Sequence, residues 1–156
     1  MTQQDSVFDS EAFLDANTTD TEGSTTLLPI PPGTYNAIIS EVKARPWSSE
    51  KGSGMSLDIS YEIVDDGGKI EQEIGRKPVV TQGYFLDLKD GKMDFSAGKN
   101  VQLNRVRDAV GQNVPGQAWK ATNMKGQALQ IVVTNSPDKN NSDVIYSRVK
   151  SVGRLV

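Results

Sequence analysis

The chain of 156 residues contains no cysteine and no histidine. The first absence excludes a disulfide framework, a thiolate metal site and a thiol nucleophile. The second removes the commonest metal ligand and general base, and with them the serine–histidine route to acyl transfer. No apolar run approaches the roughly 18 residues of a membrane-spanning helix. No basic segment followed by an apolar one reads as a secretory signal. The short glycine clusters Gly52-Ser-Gly54 and Gly67-Gly68 lack the Lys-Ser/Thr continuation and following helix of a phosphate loop. Asp65 and Asp66 sit in a glycine-rich turn, where paired carboxylates serve the turn far more often than a metal. These exclusions lead to the expectation of a non-enzymatic cytoplasmic protein with no cofactor, no metal and no membrane association.

What is present is ordinary in amount and uneven in placement. With 24% charged and 36% apolar residues, a chain of this length suits one domain around one core. The net charge of −3 conceals a gradient. Residues 1–26 hold Asp5, Asp9, Glu11, Asp15, Asp20 and Glu22 and no cation. Residues 99–156 hold nine cations, Lys99, Arg105, Arg107, Lys120, Lys125, Lys139, Arg148, Lys150 and Arg154, against Asp108, Asp138 and Asp143. A basic C-terminal third suggests an anionic partner, and an acidic arm could compete for that surface.

Residues 1–28 bury too little to offset their ordering entropy and are expected to form a disordered acidic N-terminal arm. Phe8, Phe13 and Leu14 could make one amphipathic turn in it, a docking peptide for a protein partner. The folded domain is expected over residues 29–156.

That domain reads mainly as strand. Leu27-Leu-Pro-Ile-Pro-Pro-Gly33 is a proline-stiffened lead-in. The first strand spans about residues 34–46, with its first half expected to be buried on both faces and its second half wet on one, as in a long bent strand of a small barrel. In the second, over residues 55–64, Met55, Leu57, Ile59, Tyr61 and Ile63 alternate strictly with polar side chains. Asp65-Asp-Gly-Gly68 is turn chemistry, and a charged stretch, residues 69–77, leads to a third strand over 79–88. Ser96 to Gly111 reads as the one helix, with Ser96 or Asn100 at its start and Gly111 at its exit. A short strand over 118–122 and a hairpin of residues 128–134 and 144–152 complete the chain. Three strands, a helix and then two or more strands is the order of an OB-fold, a five-stranded, partly open barrel with one helix between strands 3 and 4. A β-sandwich with an incidental helix is the competing arrangement.

Binding a single-stranded nucleic acid requires a positive groove and flat side chains on which bases stack. In the last strand Tyr146, Arg148 and Lys150 share one face. In the first, Lys43, Arg45 and Trp47 do the same. Arg105 and Arg107 on the helix and Arg154 near the C-terminus are further phosphate candidates. Tyr61 alternates with aliphatic residues and belongs to the core, and Trp119 is assigned to packing.

The runs Pro31-Pro-Gly-Thr-Tyr-Asn-Ala-Ile-Ile-Ser-Glu-Val42, Lys51-Gly-Ser-Gly-Met-Ser-Leu-Asp-Ile-Ser-Tyr-Glu-Ile-Val-Asp65 and Tyr146-Ser-Arg-Val-Lys150 resemble the OB-fold single-stranded DNA-binding proteins of tailed bacteriophages. The likeness spans roughly residues 29–154. It implies a protein that coats single-stranded DNA during phage DNA replication or recombination in the host cytoplasm, with replication or recombination proteins as partners through the N-terminal arm. Independently of that likeness, Tyr146, on the face of Arg148 and Lys150, is the first stacking candidate, and Trp47, on the face of Lys43 and Arg45 where a flexible loop begins, is the second. Many such proteins end in an acidic tail, whereas this chain ends Ser151-Val-Gly-Arg-Leu-Val156 and carries its acids at the other terminus. The alternative expectation is a β-rich structural or protein-interaction module of a virion or host complex. An exposed strand edge would also let a second copy pair as a homo-oligomer.

Overall fold

The computed structural model describes residues 9–17, 23 and 26–156. Phe8 and the acidic residues Asp5, Asp20 and Glu22 lie outside the described residues. Within the arm, helix α1 (Ser10–Asp15) is capped by the Asp9 carboxylate, which accepts from the Glu11 and Ala12 backbone N–H groups, and its side chains are all exposed.

The chain then forms β1 (Gly33–Ser49) and β2 (Gly52–Ile63), a helix α2 (Lys69–Ile74), β3 (Val79–Phe85), a small hairpin β4 (Leu88–Lys89) and β5 (Lys92–Met93), helix α3 (Val101–Ala109), and a final hairpin β6 (Ala128–Pro137) and β7 (Ile145–Gly153). Five strands make one antiparallel sheet in the order β3-β2-β1-β6-β7. Among the described residues no ladder joins β3 to β7, so the sheet is not closed. The two edges nevertheless approach each other. Val79 to Thr81 share a groove with Val144 to Ser147, and Gln82 to Phe85 share another with Val149 to Val152. The edge strands therefore run side by side in the same direction.

The long first strand is irregular at one point, which the periodicity did not contain. Its ladder with β2 pairs Ile39 with Tyr61 and then Glu41 with Ser60, leaving Ser40 as an extra residue. A bulge of one residue reverses which parity faces inward. Tyr35, Ala37 and Ile39 therefore point into the core before it, and Val42 faces inward after it. The expectation that the first half is buried on both faces is corrected: Thr34, Asn36 and Ile38 are exposed.

Leu57, Ile59, Tyr61 and Ile63 line the interior from β2, Val80 from β3, and Leu129, Ile131 and Val133 from β6. Ile30, in the proline-rich lead-in, is also fully buried, and its N–H donates to Ser147 Oγ at 2.8 Å. Leu103 and Val106 pack α3 onto this core, and Met124, in a 3₁₀ turn over Ala121–Met124, is buried as well.

Three further expectations change. The charged stretch after Asp65 is helix α2, because the Asp65 carboxylate accepts from the backbone N–H groups of Ile70 and Glu71 at 2.9 Å each, while Ile74 is buried. Such capping supplies acceptors for the N–H groups that the first helical turn leaves unpaired. Helix α3 begins at Val101 rather than Ser96: Asn100 is left-handed (φ 50°) and its side chain is bonded elsewhere. The segment around Trp119 forms no strand. Among the described residues no helix is long and apolar enough to cross a membrane.

Candidate nucleic-acid interface

Beyond the bulge, Lys43, Arg45 and Trp47 lie on the outer face of β1, opposite Asp58, Ser56 and Gly54 of β2. Across β2, Asp58 pairs with Gly83 and Ser56 with Phe85. The Trp47 indole covers Gly54 so closely that a methyl group there would lie 2.8 Å from the ring. Phe85 stands edge-on to Trp47, with ring centroids 5.8 Å apart and planes at 90°. Trp47 is half-buried and its Nε1 is enclosed without a hydrogen-bond partner, whereas Phe85 is 72% exposed. A large apolar ring held upright in water costs free energy in a lone domain, and stacking on a flat ligand would recover it.

Arg45 is not a free cation. Its Nε donates to Asp58 Oδ2 at 2.9 Å, and its Nη2 reaches Asp58 Oδ1 and Ser56 Oγ. That hydrogen bond holds the Asp58 carboxyl below its usual range, with burial working in the opposite direction, and raises Arg45 in turn. Gly83 leaves room for the pair, since a methyl group there would stand 3.1 Å from Asp58.

On β7, Tyr146, Arg148 and Lys150 are all exposed, but the alternation is interrupted at Lys150, an extra residue between Val149, which pairs with Val133, and Ser151, which pairs with Val132. The structure does not gather them into one cleft. Lys150 lines a groove of about 610 Å³ at the β3–β7 seam together with Phe85 and Arg105. Tyr146, 50% exposed, lines a different groove at the opposite end of the seam with Arg76 and Val79. From the inner side the first groove is floored by Tyr84, whose hydroxyl is 2.8 Å from that of Tyr61. Burial raises the pKa of both phenols. Arg154 and Arg105 border a second groove beside α3, where Arg154 Nη2 is 3.3 Å from Asp108 Oδ1.

Arg107 is withdrawn from the set of phosphate candidates. It is 8% exposed, and its guanidinium lies 4.5 Å from the Phe95 ring centroid and 4.3 Å from that of Trp119. Its Nη1 donates to Asn104 Oδ1, its Nε has no partner among the described residues, and burial lowers its pKa. The two rings meet each other edge-to-face, with centroids 6.0 Å apart and planes at 78°, and Arg107 packs against both. Trp119 is likewise structural, with its Nε1 donating to Gln112 Oε1 at 2.9 Å.

Phe85 is the ring whose exposure the sequence left open. The sequence put Tyr84 and Phe85 on opposite faces; the ladder, in which Tyr84 pairs with the inward-facing Leu57, decides that Phe85 is the outward one. Among the described residues, no three acidic side chains converge as metal ligands would. No protein-family model matches the chain, and no curated protein sequence matches it.

Proposed function

We propose that this chain is a non-enzymatic, sequence-tolerant single-stranded DNA-binding protein of phage DNA replication or recombination, built on an OB-fold. The fold assignment is supported by the order β3-β2-β1-β6-β7, by the parallel approach of β3 and β7, and by α3 lying between β3 and the closing hairpin in the chain. The observation that carries the function is the pair of outward rings, Phe85 over Trp47, beside a groove that contains Lys150 and Arg105. Phe85 offers a π-face for bases, and the cations offer charge for the backbone, the two components of sequence-tolerant binding. Lys43 on β1 and Arg148 on β7 are further exposed cations; Arg45 contributes less, because Asp58 holds it.

The test is an electrophoretic shift of single-stranded DNA, duplex DNA and RNA at two salt concentrations. Binding to oligo-dT should weaken with salt, with a slope of about 0.7 per phosphate neutralised, and exceed binding to duplex. Absence of any oligo-dT complex at low salt would refute the proposal.

A further inference from the structure

The groove holding Phe85 does not end at Lys150. It and the neighbouring groove of about 480 Å³ share the wall residues Gly98, Val101, Arg105 and Val152, so the two form one trough running between α3 and β7. Lys150, Arg105, Lys99 and Arg154 line this trough, against the carboxylates of Asp87 and Asp108. Asp108 is engaged by Arg154 in a contact whose two side chains are 68% and 60% exposed, and an ion pair so open to water is held weakly. Among the described residues Arg105 reaches only the neutral Gln102 amide, at 3.3 Å. The second half of the trough is dominated by charge. Phe95, also at its wall, turns one face to Arg107 and stays 42% exposed, so its ring is only partly open to a ligand beside Lys99, Arg105 and Arg154.

We infer that the trough between α3 and β7 is a phosphate-tracking extension of the stacking platform, engaged only by strands long enough to pass from Phe85 beyond Lys150 to Lys99 and Arg154. This rests on the proposed DNA-binding function and adds a direction and a length dependence to it. Bases stack at the Phe85 end, while Lys99 and Arg154 hold the sugar–phosphate backbone at the other. Four cations against two carboxylates favour the polyanion over any particular base.

The experiment uses the full chain, its Lys99→Gln/Arg154→Gln variant, and labelled oligo-dT of about 6 and about 20 nucleotides, lengths chosen around the usual 4–16-nucleotide footprint of one such barrel. Both replaced side chains are exposed, and thermal melting checks that the fold is retained. The variant should bind the short oligomer as the unaltered protein does, while its affinity for the long one falls several-fold and its salt slope drops by about 1.4, two phosphates' worth. Equal loss on both lengths, or no loss on the long one, would overturn the extension while leaving single-strand binding intact. If the unaltered protein binds neither oligomer, the proposed function fails together with it.

Discussion

Trp47 covers the backbone of Gly54, its directly paired neighbour on β2, with no space for a side chain between them. Gly54 is therefore part of the platform: it lets the indole lie low enough for Phe85 to stand edge-on against it. A Gly54→Ala change should lift Trp47, weaken oligo-dT binding several-fold and shift the tryptophan emission of the free protein. Unchanged emission and affinity would show that the close approach has no bearing on the platform.

Phe85→Ala should cost about 1–3 kcal/mol of binding, the value of one stacked base, or roughly 5- to 150-fold in affinity. Thermal stability should move little, because the ring is mostly in water. Fluorescence anisotropy and a melting curve on the same preparation separate the two effects.

Asp58 holds Arg45 at 2.9 Å in the middle of the outer face. Asp58→Asn removes a negative charge and loosens that hold, so oligo-dT should bind more tightly and with a steeper salt slope. The same pair sets an acid response. A carboxyl held low in the folded state stabilises the fold above its unfolded pKa of about 3.9, and that stability is lost as pH falls through the lower folded value. The variant should therefore lose less stability than the unaltered protein between about pH 4 and pH 2, as urea midpoints would measure.

Arg107 and Arg148 look equivalent as isolated cations and should behave oppositely. Arg107→Gln removes the guanidinium packed against Phe95 and Trp119 and should lower the melting temperature without changing the salt slope of binding. Arg148→Gln, at an exposed position, should reduce the slope by about 0.7 and leave melting unaltered.

Asn100 joins α3 to the loop around β4 and β5. Its backbone N–H donates to Asp87 Oδ2, its Oδ1 accepts from the Asp87 N–H, and its Nδ2 donates to the carbonyls of Asp87 and Asp94. It is 5% exposed and left-handed. Asn100→Ala loses the side-chain bonds and strains the backbone, for about 3 kcal/mol in all. Asn100→Gly keeps the backbone at ease and should cost about 1 kcal/mol less in chemical denaturation.

Local pattern determined much of this molecule. Strict alternation placed Leu57, Ile59, Tyr61 and Ile63 in the core and turned Tyr146 and Arg148 outward, since side-chain direction in a regular strand depends only on parity. Gly111, at φ 72° after α3, and the Asp90-Gly91 turn, both residues at positive φ between β4 and β5, were legible because those conformations select their residues.

Tertiary structure decided the rest. The bulge at Ser40 reverses the parity of β1 through its ladder with β2, and no periodicity within one strand carries that information. Arg107 differs from Arg105 by two positions on a helix, yet Phe95 and Trp119, brought from separate loops, bury one cation and leave the other in the trough. Residue type and spacing are local properties, and the sequence by itself determined what depends on them: the strands, their faces and the stock of cations and rings. Which of those cations meet which rings depends on how distant strands and loops close around the core, and only the folded chain decides it.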